Sequence, residues 1–160
     1  MAKAVALTLK PGDKAPSFSA IATDGSEIRS KDLLGKPVVV YFYPRDDTPG
    51  CTKEACGFRD HHPEIQKAGA VVLGVSADTV KSHVKFTAKY RLPFTLLSDP
   101  EATVAKAFGA WGEKVFMGRK YQGTHRVTFL IGRDGKIANV WPTVKPETHA
   151  AEVLEALKAL

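Results

Sequence analysis

Unbroken apolar runs alternate along this 160-residue chain with segments whose apolar positions recur at helical spacing. Residues 38–43, Val-Val-Val-Tyr-Phe-Tyr, have no polar alternation, which predicts a strand covered on both faces. Residues 70–76 repeat that pattern, and residues 94–97 give a shorter strand. Between the first two runs a helix is expected, with Thr48 as N-cap and Pro49 at the first helical position. It should reach about Lys67 and stop at Gly69, with Pro63 bending or interrupting it. Asp78-Thr79 starts a second helix, with Val80, Val84 and Ala88 as its apolar positions. A third opens at Ser98-Asp99-Pro100 and ends near Phe108-Gly109. Strands alternating with helices argue for parallel pairing and an α/β layer structure.

The two ends read differently. Residues 15–22 and 27–29 flank Asp24-Gly25 and predict an N-terminal β-hairpin, followed by a short helical turn over 30–35. Residues 127–131 and 137–141 flank Arg133-Asp134-Gly135-Lys136, a second hairpin signal. Residues 146–160 form an amphipathic helix with Ala150, Val153, Leu154 and Leu157 on one face. Between them the pattern weakens over 111–123, where Gly112, Gly118 and Gly123 suggest a loop or irregular strand. There is no repeat, low-complexity tract or linker, so residues 1–160 read as a single domain.

Composition narrows the function classes. The net charge of +6 is spread among 17 acidic residues, a pattern of solubility rather than nucleic-acid recognition. No apolar segment approaches the roughly 20 residues of a membrane span, and residues 1–10 are too weakly apolar for a signal peptide. The expected location is cytoplasmic. Two cysteines are too few for a disulfide scaffold and point to chemistry instead.

Both cysteines, Cys51 and Cys56, fall in the helix that follows the first strand. A sulfur in the first helical turn faces unpaired backbone N–H groups and the positive end of the helix dipole, an environment that favours negative charge. The spacing has a mechanical consequence. Five residues along an ideal helix separate the two Cα atoms by roughly 8.6 Å. A disulfide needs less than about 7 Å. If the two cysteines pair, the first turn must unwind, so a wound reduced state and an unwound bonded state are expected. Fast attack on a substrate also needs donors for charge on the leaving group, such as the hydroxyl of Thr48 or an arginine fork.

These residues carry a family resemblance. Pro44, Thr48 and Cys51, spaced as Pro-x-x-x-Thr-x-x-Cys, match the active-site motif of peroxiredoxins. Thr48-Pro49-Gly50-Cys51-Thr52-Lys53-Glu54-Ala55-Cys56 resembles the bacterioferritin-comigratory, or peroxiredoxin Q, branch. Leu96-Leu97-Ser98-Asp99, Trp111-Gly112-Glu113-Lys114 and Arg126-Val127-Thr128-Phe129-Leu130-Ile131 extend the likeness over nearly the whole chain. The resemblance implies a thioredoxin-like α/β fold, with a central mixed sheet flanked by helices and an N-terminal hairpin extension. It implies a thiol peroxidase in which Cys51 attacks hydrogen peroxide or an organic hydroperoxide and becomes a sulfenic acid. Cys56 is then the resolving cysteine, Thr48 and Arg126 hold the peroxide, Pro44 shields the sulfur, and Glu54 orients the arginine. The implied partner is thioredoxin or a similar dithiol, with no cofactor, no metal, no nucleic acid, no membrane and no chemical need for more than a monomer.

Other readings of the same residues stay open here. A thioredoxin-type thiol-disulfide oxidoreductase is weakened by the missing Cys-x-x-Cys. A zinc module would have to use Cys51, Cys56, His61 and His62, whose spacing fits no common finger. Taken alone, Thr48 is an N-cap and Arg126 a surface residue on an alternating strand. His83, His125 and His149 are isolated and receive no role, and Trp111 and Trp141 read as packing residues.

Overall fold

The computed structural model describes residues 7–160. The signal-peptide expectation for residues 1–10 therefore lies mostly outside the described residues. Its elements in order are β1 (Ser19–Ala22), β2 (Glu27–Arg29), a 3-10 turn (Ser30–Leu33), β3 (Val38–Phe42), α1 (Pro49–Lys67) and β4 (Val71–Ser76). They continue as α2 (Val80–Tyr90), β5 (Thr95–Ser98), α3 (Thr103–Phe108), β6 (Trp111–Phe116), β7 (Arg119–Thr124), β8 (Val127–Ile131), β9 (Ile137–Trp141) and α4 (His149–Lys158).

Seven strands form one mixed sheet in the order β2-β1-β5-β4-β3-β8-β9, with β3-β4 and β4-β5 parallel and the remaining pairs antiparallel. This is the thioredoxin-like architecture with its N-terminal hairpin. β3 lies between β4 and β8, and all five of its residues are buried, as a run without polar alternation requires. Its two faces feed two cores. Val39, Tyr41 and Tyr43 pack with Phe58 and Ile65 of α1 and with Val153 and Leu154 of α4. Val38, Val40 and Phe42 pack on the other side with Phe18, Phe108 and Phe129. Gly74, opposite Tyr41 on β4, makes room for its ring, since a Cβ there would come within 2.8 Å of it. Among the described residues no helix is long and apolar enough to cross a membrane.

Four expectations need correction. Pro63 does not interrupt α1, which is assigned as one helix through it and ends before Gly69, at a φ of +81°. On α2 the buried side chains are His83 and Phe86, whereas Val84 and Ala88 are exposed. The third helix begins only at Thr103, with the Asp99 carboxylate accepting from the backbone N–H groups of Val104 and Ala105. Residues 111–124 form a regular hairpin in a sheet of its own, turning at Met117-Gly118, both with positive φ. Much of that hairpin is exposed, so it lacks the apolar alternation that marks a half-buried strand.

Candidate active site

β3 ends against Pro44, and the chain crosses a short loop before α1 begins. That loop is fastened to α2 from several directions. The Asp46 carboxylate accepts from the hydroxyls of Tyr43 at 2.6 Å and Ser82 at 2.8 Å, and lies 2.7 Å from Nδ1 of His83. The other ring nitrogen of His83 is 3.0 Å from the Leu97 carbonyl. The Asp46 N–H donates to Asp78. Asp47, held at a φ of +56°, accepts from Lys89 Nζ and the Tyr90 hydroxyl, each at 2.8 Å. Asp46, Asp78 and His83 lie close enough together to hold an ion, and here both Asp46 oxygens and Oδ2 of Asp78 accept from protein donors.

Thr48 occupies the N-cap position with extended angles, as its sequence predicts, but its side chain does not cap the helix. The hydroxyl instead donates to the Arg45 carbonyl at 2.9 Å, which leaves its lone pairs as the polar feature it presents. Cys51 follows in the first turn and is buried, 1% exposed. Arg126 reaches it from just ahead of β8, the strand paired with β3. Its Nη2 donates to Cys51 Sγ at 3.3 Å while Nη1 donates to Glu54 Oε1 at 2.8 Å. Arg126 is not on the strand, as its spacing suggested, but one residue ahead of β8. Gly50 permits this approach: a Cβ there would sit 3.0 Å from Nη2. Cys56 lies five residues further along the same unbroken helix, half-buried, and both cysteines are free thiols. Of the predicted residues, the fold thus gathers Cys51, Arg126 and Glu54 in direct contact, places Thr48 and Pro44 at the loop leading in, and keeps Cys56 apart.

The charges are unequal. Burial pushes the Glu54 carboxyl up to about 7, more than its attraction to Arg126 offsets. One of its oxygens, Oε2, is buried with no partner among the described residues, which favours the neutral acid over an unsolvated anion. Burial also opposes the charge of Arg126, but Glu54 and Cys51 together outweigh it and raise the guanidinium further. His149, read as isolated, is fully buried beneath this cluster with Nε2 2.7 Å from the Thr128 hydroxyl. Burial, helped by Arg126, lowers it to about 4, so the ring is neutral at pH 7. Its Nδ1 is 3.9 Å from Glu152, too far for a hydrogen bond. A cavity of about 220 Å³ lined by Lys14, Phe18, Leu33 and Ile131 stands at the opposite end of β3 and takes no part.

The raised Glu54 pKa has a testable sign. Between the unfolded carboxylate value near 4.5 and the folded value near 7 the native state binds the extra proton, so stability falls as pH rises through that window. Glu54→Gln removes the penalty. Its stability relative to the unsubstituted chain is therefore expected to improve between pH 4.5 and pH 8 by on the order of 3 kcal/mol, read from urea midpoints at the two pH values.

Comparison with known proteins shows the family of the chain. The model of the AhpC/TSA family matches residues 11–140, most of the chain. The chain belongs to that family. Within it, the chain is 52% identical over 151 residues to a putative peroxiredoxin Bcp of Coxiella burnetii, covering 94% of this chain and all of the relative. The bacterioferritin comigratory protein of Xanthomonas campestris, a structure concerned with its alkyl peroxide reduction activity, superposes with a TM-score of 0.87 at 38% identity, covering 94% and 98% of the two chains. A Cys-to-Ser variant of Xylella fastidiosa PrxQ superposes with a TM-score of 0.91 at 37% identity, covering 96% and 98%. The protein is thus a peroxiredoxin of the bacterioferritin-comigratory branch and a thiol peroxidase.

Proposed function

We propose that Cys51 is the peroxidatic sulfur of this peroxidase and Cys56 its resolving partner. The observation that carries the reading is the fork of Arg126, which bonds the Cys51 sulfur and Glu54 at once. A guanidinium fixed in that way faces the place where charge develops when a peroxide bond breaks, and needs no reorganisation during the step. The Cys51 thiolate attacks one oxygen of ROOH, the O–O bond breaks, the sulfur becomes a sulfenic acid, and RO⁻ takes a proton and leaves as ROH. Thr48, whose own hydrogen is committed to Arg45, accepts from the peroxide hydroxyl and orients it. Pro44 covers the sulfur from the loop side.

The Cys56 thiolate then attacks the sulfenic sulfur, water leaves, and an intramolecular disulfide forms. A dithiol such as thioredoxin restores both thiols. Hydrogen peroxide and organic hydroperoxides are the substrates of this reading, and the alkyl peroxide activity of the Xanthomonas relative supports the second class. A cycle that starts from two free thiols and closes within one chain suits a cytoplasmic monomer.

Peroxide added in equal amount to the reduced protein should remove both thiols per chain, and mass spectrometry of the monomer should find the peptides of Cys51 and Cys56 joined. With Cys56→Ser, a sulfenic acid should accumulate on Cys51 and be captured by dimedone. Peroxide consumption that leaves Cys56 reduced in the unsubstituted chain would sink the assignment of the resolving residue.

A further inference from the structure

The run Trp111-Gly112-Glu113-Lys114 has no part in the chemistry so far, yet it opens β6 and grips the segment that delivers Arg126. The His125 N–H donates to the Ala110 carbonyl at 2.7 Å, and His125 Nε2 lies 3.0 Å from the Glu113 carbonyl. Trp111 pairs with Thr124 in the β6-β7 ladder. Lys114 adds a fourth tie, its Nζ donating to the Thr124 carbonyl at 2.9 Å. The residues just ahead of Arg126 are therefore held by β6 rather than by the sheet they are about to enter.

Lys114 is not an ordinary surface lysine. It is half-buried, and its stem runs across Gly123 on the paired strand, where a Cβ would come within 3.0 Å of its Cδ. A glycine there leaves the slot through which the side chain passes. Burial lowers the pKa of the ammonium, Arg126 lowers it further, and Cys51 acts the opposite way. A lysine is thus held in a partly dry place within the field of a second cation, tied to the backbone two residues ahead of it.

We propose that Lys114 is a positioning residue of the sulfur site, which steadies the segment carrying Arg126 and adds a second positive charge to the field around Cys51. The inference rests on the reading of Cys51 as the attacking sulfur. It also answers a shortfall: one half of the Arg126 fork is spent on Glu54, so the sulfur receives only the other half. The groups that act on this cluster are Cys51 and Glu54 from α1, Tyr41 from β3, His125 and Arg126 from the segment before β8, and His149 from α4.

Lys114→Gln keeps a donor for the Thr124 carbonyl and removes the charge, whereas Lys114→Arg keeps both. Stopped-flow peroxide reduction across the pH range is expected to show a roughly tenfold loss for Gln, with the acidic limb of the rate profile displaced to higher pH, and near-full activity for Arg. Gly123→Ala, which crowds the stem, should fall between them. A Gln profile superimposable on that of the unsubstituted chain overturns the proposal, and so does an Arg variant as impaired as Gln. Failure of the underlying reading is distinguishable, because the unsubstituted protein would then itself consume no peroxide through Cys51.

Discussion

Cys51→Ser is expected to abolish peroxide turnover while leaving the fold intact. The two side chains differ by one atom in a site that is 1% exposed, so packing changes little. The chemistry changes completely. A serine hydroxyl stays protonated where a thiol gives up its proton, and neither the helix start nor Arg126 can bridge that gap. The variant should keep the contact between Arg126 and Glu54, which does not involve the sulfur. The measurement is peroxide consumption with a dithiol reductant in excess, beside a urea unfolding curve. Residual turnover in Cys51→Ser, with Cys56 intact, would move the reaction to the other sulfur.

Arg126→Met should lower kcat/KM by roughly two to three orders of magnitude, the usual cost of removing one fixed donor from a site where charge develops. Methionine keeps an unbranched stem, two atoms shorter, and loses the fork. It also strands Glu54, whose side chain is fully buried and, among the described residues, has Arg126 as its only partner at Oε1. Glu54 already holds a proton up to about pH 7, so the variant should unfold more easily mainly above that value, where the carboxylate would ionise in the dry. Adding Glu54→Gln to Arg126→Met should recover the stability and leave the rate as low as before. Recovery of both would mean that Arg126 acts only as a structural pin.

The central strand and the helix start were legible because each is fixed locally. A six-residue apolar run has one sensible place in an α/β layer, and Thr-Pro followed by Gly-Cys has one sensible backbone. What the pattern missed depends on partners distant in sequence. His83 displaced Val84 from the buried face of α2 because its ring meets Asp46, 37 residues earlier, and the Leu97 carbonyl. Arg126 meets Cys51 across 75 residues, and spacing alone favoured a surface role; only the family resemblance brought them together. The β6-β7 hairpin was hidden for a different reason. Its turn uses Met117 at a φ of +51°, where asparagine or aspartate would have signalled the bend.

The ties on either side of Cys51 set limits on how the chain can rearrange. Upstream, the loop is pinned to α2 through Asp46 and Asp47; downstream, Phe58 is sealed in the core and Gly57 lies against Ala150 of α4. Cys56 lies in the stretch between these anchors, and opening it means exposing Ala55 and parting Glu54 from Arg126. In the proposed cycle, with Cys56 as the resolving residue, the opening rate of that stretch becomes a clock for the oxidised sulfur. When the clock runs fast, the disulfide forms before a second peroxide arrives; when it runs slowly, the sulfenic acid waits in the wound site and goes on to sulfinic acid. The strength of one turn of helix thus decides how much oxidant the enzyme survives.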